Sequence, residues 1–264
     1  MKILITGGAG FIGSHVADAY LQQGHEVVIV DNLSTGYLDN VNTQAKFYQI
    51  DICSSELNKV FSTEKPDIVN HHAAQISIPV SVKDPLADAE INVKGFINLM
   101  QCCTKYQVRK VIFISSGGAI YGEAAEYPTS ESCPTQPLSP YAINKKVSED
   151  YLYYYRKAFC IDYTILRYSN VYGPRQVSHG EAGVVSIFME KLLAGERPNL
   201  YAYNTEPDGM IRDYLYVKDA VLANLAALDK GSGEAYNIAT CTETRTLALF
   251  NEIAGQMHSE IQPI

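Results

Sequence analysis

The sequence predicts an α/β protein with a doubly wound parallel sheet and a smaller, partly interleaved C-terminal lobe. A hydrophobic fraction of 47% over 264 residues is enough to bury a large core. Short apolar segments alternate with amphipathic ones through the first two thirds of the chain. The apolar segments are nearly continuous, as is typical of parallel strands buried on both faces by helices.

Six strands are predicted from these apolar segments, over 2–6, 26–30, 46–50, 67–72, 110–115 and 163–168. The intervening segments carry apolar residues at three- and four-residue spacing, which predicts helices over 12–22, 56–64, 86–105 and 141–158. Right-handed crossovers would place these helices on both faces of the sheet.

After residue 169 this alternation stops, and the chain becomes rich in Gly, Pro and Ser, with one predicted helix over 183–195. We therefore expect a main domain over 1–168, to which a strand and helix at 210–230 return. The remainder of 169–264 is expected to form a smaller lobe that is incomplete at its C-terminal end.

Charge and composition argue against several classes of function. The chain has 21 basic and 29 acidic residues, a net charge of −8, and basic residues that are scattered singly, so neither nucleic acid nor a membrane is an expected partner. An opening strand-like segment and the lack of an apolar run of about 18 residues make the cytoplasm the expected location. Six cysteines without a CxxC motif are interpreted as reduced, buried side chains, and no metal site is expected.

A glycine-rich segment, TGGAGFIGSH at 6–15, follows the first predicted strand and opens the first helix. Gly8, Gly10 and Gly13 satisfy G-x-G-x-x-G, and Gly7, Gly10 and Gly13 satisfy G-x-x-G-x-x-G. Glycines here permit a tight turn, bring backbone N–H groups close to a pyrophosphate and let the helix pack on the strand. In this strand-to-helix context the motif predicts a dinucleotide site of Rossmann type.

Asp31 ends the second predicted strand, where a carboxylate can accept hydrogen bonds from the adenine ribose hydroxyls. The same carboxylate would repel a 2′-phosphate, so NAD is favoured over NADP. The structural alternative is an Asp that caps the turn before Ser34-Thr35-Gly36. Asp51 and Ile52 follow the third strand and are interpreted as facing the adenine, or alternatively as a helix cap.

Tyr141 and Lys145 are the candidate catalytic pair, because a spacing of four residues places both on one face of a helix that Pro140 can start. A neighbouring ammonium should lower the pKa of the phenol toward neutrality and make it a usable acid or base. Ser115 and Ser116, at the carboxyl end of the fifth strand, are either turn formers or partners that share a proton with Tyr141. The YxxxK spacing also occurs by chance, and the chain has four such pairs: Tyr106/Lys110, Tyr141/Lys145, Tyr153/Lys157 and Tyr214/Lys218.

Motifs along nearly the whole chain resemble the extended short-chain dehydrogenase/reductase superfamily, and specifically its UDP-glucose 4-epimerases. The matching segments are TGGAGFIGSH, VDNLSTG at 30–36, HHAAQISIPVSVKDP at 71–85, INVKG at 91–95, SSGGAIYGE at 115–123, SPYAINK at 139–145, LRYSNVYGPRQ at 166–176 and IRDYLYVKDA at 211–220. The resemblance implies an NAD-binding domain over 1–168 and a substrate-binding lobe over 169–264.

The activity implied by this resemblance is NAD-dependent epimerisation of a UDP-sugar at C4, through a transient 4-keto intermediate. Tyr141 would be the base, Lys145 would hold the nicotinamide ribose, and Asn170 and Arg212 would contact the UDP-sugar. The resemblance also implies a homodimer that packs helices 86–105 and 141–158. Together with the glycine-rich segment and Asp31, it gives this cofactor-binding set: Gly7, Gly10, Phe11, Ile12, Gly13, Asp31, Asn32, Ser34, Thr35, Gly36, Asp51, Ile52, Ala73, Ala74, Asn92, Ser115, Tyr141 and Lys145.

This chain departs from related enzymes at two places in the loop after the fifth strand. Many members carry the catalytic Ser or Thr where this chain has Gly117, so Ser116 is assigned that role instead. Related 4,6-dehydratases carry an Asp-Glu pair where this chain has Gly118-Ala119-Ile120, which favours epimerisation over elimination. The alternatives that stay open are a UDP-uronate or UDP-N-acetylhexosamine epimerase, a decarboxylase, or an NAD-binding protein with weakened turnover.

Overall fold

The first of two compact units in the chain is built on one parallel sheet. The computed structural model describes residues 1–178 and 183–264, and divides them into a first unit, Met1–Tyr168 with Lys218–Ile238, and a second unit, Ser169–Val217 with Ala239–Ile264. The strands of the sheet are β1 Lys2–Thr6, β2 Glu26–Asp31, β3 Lys46–Gln49, β4 Ile68–His71, β5 Lys110–Ser116, β6 Asp162–Tyr168 and β10 Glu234–Ile238.

This sheet has seven strands in the order β10-β6-β5-β4-β1-β2-β3, and every pairing in it is parallel. The strand order reverses between β1 and β4, because β1 leads outward to β2 and β3 while β4 leads the other way to β5 and β6. Ligands of such sheets bind outside the carboxyl ends of the strands at this reversal. The predicted doubly wound parallel α/β fold is confirmed, and it places the candidate site next to β1 and β4.

Amphipathic helices cover both faces of the sheet. Those in or entering the first unit are α1 Phe11–Gln22, α2 Leu57–Glu64, α3 Ile78–Lys83, α4 Pro85–Ala89, α5 Phe96–Lys105, α6 Gly117–Ile120, α7 Pro140–Phe159 and α9 Val217–Ala227. Leu4, Val69 and Val111 of the sheet are fully buried with Phe61 of α2 and Phe96 of α5. This contiguous burial of apolar surface stabilises the unit.

The prediction of a single helix over 86–105 is wrong in detail. It consists of α4, a π-helical turn at Glu90–Gly95, and α5. The Asp84 side chain caps α4 by accepting from the Ala87 N–H. Apolar periodicity could not reveal the π turn, because one extra residue per turn shifts the pattern only slightly.

The strand that returns to the main sheet also lies later in the sequence than predicted. We expected a strand and a helix at 210–230 to return to this sheet. Helix α9 does lie within that range, but the strand that pairs with β6 is β10 at Glu234–Ile238. The strands at 210–216 belong instead to small sheets of the second unit. These segments are too short to bury an apolar run, so their pattern does not indicate their partners.

In its described residues, the second unit contains two two-stranded sheets and two helices. Its remaining elements are β7 Asn170–Tyr172, α8 Val184–Leu193, β8 Ile211–Arg212, β9 Tyr214–Tyr216, β11 Thr244–Arg245 and α10 Thr246–Gln256. β7 pairs with β9 in parallel, and β8 pairs with β11 antiparallel. Phe188 of α8 and Phe250 of α10 meet edge to face with ring centroids 5.4 Å apart, which forms a separate small core.

Glu64, at the end of α2, is a buried carboxylate that ties the helix to the edge of the sheet. It accepts from Lys2 Nζ at 3.1 Å, Lys46 Nζ at 3.0 Å and Tyr48 Oη at 2.6 Å. Burial alone would raise its pKa, but the hydrogen bonds from Tyr48, Lys46 and Lys2 outweigh it and lower the pKa to about 2. The folded state therefore favours the ionised form relative to the unfolded chain.

We expect Glu64→Gln to destabilise the first unit at pH 7 by up to about 3 kcal/mol. The pKa is depressed on folding, so this stabilisation is complete above the unfolded value of 4.5 and is lost as pH falls toward 2. Urea unfolding at pH 7 and pH 3 should show a large difference between variant and parent that shrinks at the lower pH. Glu56→Gln is the control, because Glu56 pairs with Lys59 at the exposed start of α2. An equal loss for both variants at pH 7 would contradict the assignment.

Candidate active site and cofactor site

Gly7 marks the place where the loops after β1 and β4 touch. It has φ +70°, and a Cβ at this position would lie 2.5 Å from the Ala73 backbone nitrogen. Only glycine accommodates both the left-handed conformation and this approach. The two loops therefore meet at the point of strand-order reversal, with Ala73 and Ala74 following β4.

The N-terminus of α1 is shaped to receive an anion. Gly10 is its N-cap and provides no side-chain cap for the free N–H groups of the first turn, at Phe11 and Ile12. A Cβ on Gly13 would lie 2.3 Å from the Gly7 carbonyl oxygen, so helix and loop can pack this closely only without a side chain. Free N–H groups and the positive end of the helix dipole together favour a phosphate at this position.

Asp31 ends β2 with its carboxylate fixed by two backbone donors. Oδ2 accepts from the Ala9 N–H at 3.0 Å, and Oδ1 accepts from the Leu33 N–H at 2.8 Å. The structural alternative is thus partly realised, since Asp31 does hold the turn that follows it. A carboxylate has about four acceptor sites, so it keeps the capacity to accept from a ribose hydroxyl.

The neighbouring predicted cofactor residues line the same edge of the sheet. Asn32 donates to Asp51 Oδ2 at 2.8 Å and accepts from the Ser34 N–H at 3.0 Å. Burial tends to raise the Asp51 pKa, but hydrogen bonds from Cys53 and Asn32 outweigh it and lower the pKa. Ile52 is buried against Gly95, where a Cβ would lie 2.9 Å from its side chain. Thr35 and Gly36 continue the turn after Asp31.

Tyr141 and Lys145 lie in the first turns of α7 and are both buried. Pro140 occupies the first helical position, and the Ser139 hydroxyl caps the helix by accepting from the Ala142 N–H at 3.2 Å. Lys145 Nζ lies 5.9 Å from the centroid of the Tyr141 ring and donates to the Ile114 carbonyl at 2.9 Å. The lysine therefore joins α7 to the carboxyl end of β5.

The other three YxxxK pairs lack this arrangement. Tyr106 follows α5 whereas Lys110 lies in β5, and Tyr214 lies in β9 whereas Lys218 lies in α9. The remaining pair shares α7, but its Tyr153 is 58% exposed. Of the four pairs, only Tyr141 and Lys145 combine one helix face with burial at the edge of the sheet.

The expected lowering of the Tyr141 pKa by Lys145 is wrong for the protein alone. Burial raises the pKa of Tyr141 to about 12, against a hydrogen bond with Ser116 that lowers it. Burial also lowers the pKa of Lys145 to about 8, although Asp88 and Glu149 oppose this. Desolvation changes each of these pKa values more than the attraction between the ammonium and the phenol does, because the ammonium donates to the Ile114 carbonyl rather than to the phenol.

Of the two candidate serines, Ser116 is the one whose hydroxyl lowers the pKa of Tyr141. The Ser115 hydroxyl is buried and has no hydrogen-bond partner among the residues that the structure describes. A Cβ on Gly117 would lie 3.2 Å from the Arg167 carbonyl oxygen, so a side chain there would be tightly confined. The hydroxyl of Ser115 therefore has unused capacity for a ligand.

Asn170 and Arg212 lie in the second unit, and both are exposed. Asn170 Nδ2 donates to the Asp213 carbonyl at 3.1 Å, and Arg212 Nη1 donates to the adjacent Ile211 carbonyl at 2.8 Å. The guanidinium is thus held locally, and its role toward a phosphate stays a prediction.

Sequence reasoning missed a buried polar cluster beside the catalytic helix. Asp88 of α4 accepts from Gln75, Asn92 and Asn144, and Asn92 had been predicted only as a cofactor contact. The signal that could have revealed this cluster is the spacing of polar residues four apart within predicted helices, as in Asp88 with Asn92 and Asn144 with Ser148.

The described residues were compared with the requirements of a metal site and of a membrane-spanning helix. Within residues 1–178 and 183–264, no group of three or more His, Cys, Asp or Glu side chains could hold a metal ion. Over the same residues, no helix has the length and apolar character needed to cross a bilayer.

Comparison with known proteins places the chain in a family. The model of the NAD dependent epimerase/dehydratase family matches residues 3–239. The chain belongs to this family. The putative UDP-glucose 4-epimerase of Methanocaldococcus jannaschii is 44% identical over 255 residues, which cover 97% of this chain and 82% of the relative.

Solved structures agree in fold. UDP-glucose 4-epimerase from Thermotoga maritima, solved with UDP-glucose, has a TM-score of 0.96 at 44% identity and covers all of this chain and 85% of its own. The enzyme from Thermus thermophilus, solved with NAD, has a TM-score of 0.95 at 42% identity and covers all of this chain and 86% of its own. The predicted resemblance is confirmed, and NAD is the cofactor of the family.

The residues of this chain fit that cofactor. The glycines at 7, 10 and 13 leave room that a Cβ would fill, the first turn of α1 has no side-chain cap, and the Ser115 hydroxyl is buried without a partner at the same edge. These are backbone and hydroxyl donors suited to a pyrophosphate and a ribose.

Proposed function

We propose that the protein is an NAD-dependent epimerase that interconverts UDP-glucose and UDP-galactose at C4. The observation that carries the proposal is the buried Tyr141 and Lys145 pair on α7, in which Lys145 Nζ lies 5.9 Å from the centroid of the phenol ring. The choice of substrate is supported by two relatives, a putative UDP-glucose 4-epimerase at 44% identity and a UDP-glucose 4-epimerase at 42% identity. The absence of a carboxylate in Gly118-Ala119-Ile120 supports epimerisation over elimination.

In this proposal the glycine-rich loop and α1 bind the pyrophosphate, Asp31 binds the adenine ribose, and Lys145 binds the nicotinamide ribose. The chemistry that NAD supplies when bound is reversible hydride acceptance, together with a positive charge on its nicotinamide ring. Tyr141 would act as the phenolate, a form that the Lys145 ammonium and the positive charge of bound NAD favour. Its Oη would take the proton of the sugar 4-hydroxyl and later return it, while Ser116 Oγ orients the phenol and the hydroxyl. Inversion requires that the 4-keto sugar present its other face before hydride returns to C4 and the proton returns to the oxygen.

Asn170 and Arg212 are proposed to bind the UDP-sugar, with the guanidinium on the diphosphate. Arg212→Ala should then raise KM for UDP-glucose with little change in NAD affinity. Ser115 is proposed as a ribose contact, since its hydroxyl is buried and has no partner among the described residues.

Cofactor choice gives a direct prediction: the protein should prefer NAD over NADP by at least tenfold. A charge-assisted hydrogen bond from the ribose to Asp31 is worth roughly 1.5–3 kcal/mol, and a 2′-phosphate would replace it with repulsion. No basic residue lies between Asp31 and Lys46, and Lys46 is paired with Glu64 at 3.0 Å. Calorimetric titration of both cofactors measures the ratio.

Asp31→Ala should erode this preference mainly by weakening NAD, whereas Asp39→Ala, on an exposed short helix after the same turn, should leave it intact. Equal dissociation constants for NAD and NADP in the unmodified protein would show that Asp31 does not bind the ribose.

A homodimer is proposed as the assembly, packed through α4, α5 and α7. Large apolar side chains are exposed on this surface, including Leu86 at 83%, Tyr153 at 58% and Tyr154 at 52%. Such side chains favour burial against a second copy. Mass photometry should show a dimer, and Tyr154→Glu should shift it toward the monomer.

The proposed setting is galactose metabolism in the cytoplasm. All six cysteines are free thiols, which is typical of a reducing compartment. The expectation that all six are buried is wrong, because only Cys102 and Cys103 are buried and Cys160 and Cys241 are exposed.

A further inference from the structure

Asp88 carries a buried carboxylate whose partners are all neutral. Its exposed fraction is 1%. Oδ2 accepts from Asn144 Nδ2 at 2.6 Å, and Oδ1 accepts from Gln75 Nε2 at 2.6 Å and Asn92 Nδ2 at 3.1 Å. Across the described residues, no lysine, arginine or histidine is ion-paired with it. Burying an ionised carboxylate among neutral groups is costly, so the site needs a reason beyond packing.

The donors to Asp88 come from three different elements. Gln75 follows β4, Asn92 lies in the π-helical turn, and Asn144 lies in α7 directly before Lys145. Asn92 also exchanges two hydrogen bonds with the Gln75 backbone, at 3.0 Å and 2.9 Å. We call Asp88, Gln75, Asn92 and Asn144 the Asp88 cluster. It joins the loop at the proposed cofactor site to the helix that bears the proposed base.

The charge of Asp88 also bears on Lys145. Burial lowers the pKa of Lys145 to about 8, and Asp88 and then Glu149 oppose this. Glu149 is neutralised by Arg167, which donates to both of its oxygens at 3.1 Å and 2.7 Å. Asp88, in contrast, has only amide donors, so its negative charge is the less compensated of the two.

Other titratable groups around Lys145 do not replace this charge. They are Tyr141 and Glu149 of α7, Asp88 of α4, and His71 and His72 at the end of β4. Burial and the nearby Lys145 lower the pKa of His71 well below its usual value and that of His72 to about 3, so both imidazoles are neutral near pH 7. The Tyr141 phenol is also neutral in the protein alone.

We propose that Asp88 is a positioning residue of the active site, which aligns α7 through its hydrogen bond with Asn144 and supplies a buried negative charge that acts on Lys145. The proposal rests on the proposed roles of Tyr141 and Lys145. It assigns Asp88 no contact with substrate or cofactor.

The test replaces Asp88 by Asn, which keeps the shape and removes the charge. The alkaline limb of kcat/KM for UDP-glucose should move to lower pH by about one unit, which is about a fivefold loss near pH 8 and about a tenfold loss well above it. Titration of the Lys145 side chain by ¹³C NMR in lysine-labelled protein, assigned with Lys145→Arg, should show the same downward shift without any turnover. Asp84→Asn is the matched control, because Asp84 is an exposed acid at the start of the same helix and its variant can still cap it.

Two further variants separate the effect of the Asp88 charge from the effect of the α7 alignment. Asp88→Glu should retain the alkaline limb of the parent even if kcat falls. Asn144→Ala keeps the carboxylate and removes one donor, so kcat should fall severalfold with the alkaline limb unchanged. These variants also test the proposal if Asp88→Asn fails to fold.

An Asp88→Asn protein with the parental alkaline limb and the parental Lys145 titration would overturn the charge role, and a fully active Asn144→Ala protein would overturn the alignment role. If Tyr141→Phe also remains active, the proposed site itself is at fault. If Tyr141→Phe is inactive and the Asp88 variants are normal, only the inference on Asp88 fails.

Discussion

Tyr141→Phe is expected to reduce epimerisation by ~10²–10⁴-fold, because it removes the group that takes and returns the proton of the sugar hydroxyl. The phenyl ring keeps nearly all the buried volume, so the fold and NAD binding should persist. The rate should be measured with UDP-glucose at saturating NAD, and NAD binding should be measured separately by calorimetry.

Tyr153→Phe is the matched control, since Tyr153 begins another YxxxK pair on the same helix and is exposed. It should leave turnover unchanged. Ser116→Ala should cost less than Tyr141→Phe, because Ser116 acts through a hydrogen bond to the phenol. A near-parental rate for Tyr141→Phe would remove Tyr141 from the mechanism, and a silent Ser116→Ala beside an inactive Ser115→Ala would exchange the roles of the two serines.

Arg167→Met should destabilise the first unit by about 3–5 kcal/mol, because it leaves Glu149 buried and without its ion-pair partner. Arg167 of β6 also donates to Tyr121 Oη at 2.7 Å. For a chain of this size the loss corresponds to a fall in Tm of roughly 6–20 °C. Since the chain has 19 Tyr and no Trp, tyrosine fluorescence can follow urea or thermal unfolding.

The double variant Arg167→Met with Glu149→Leu should recover much of this loss, because no unpaired charge remains. Arg156→Met is the control, since Arg156 is partly exposed and lies 3.9 Å from Asp162. It should cost about 1 kcal/mol or less. A loss for Arg167→Met no larger than for Arg156→Met would show that the buried pair contributes little.

The sheet could be predicted from sequence because its strands are buried on both faces. Continuous apolar runs such as Lys2–Thr6 and Lys110–Ser116 have few alternatives to a central parallel strand. Helix α7 was equally clear, since Ser139 and Pro140 give it a defined start. The second unit was less predictable, because its strands have two or three residues and pair far apart in sequence.

At the candidate site, the sequence indicated which residues lie at the carboxyl edge of the sheet but not their charge states. The pKa of Tyr141 depends on its burial and on the direction in which Lys145 donates, and neither can be read from a four-residue spacing. Asp88 was missed for a related reason. Its partners come from three separate elements, and only the tertiary structure brings them together.

The most direct test of the proposed function is ¹H NMR of the protein with UDP-glucose and NAD, followed over time through the anomeric signals. The proposal predicts that UDP-galactose appears, and that a reaction started from UDP-galactose reaches the same final ratio of the two sugars. Tight NAD binding with UDP-glucose and UDP-galactose both unchanged would contradict it.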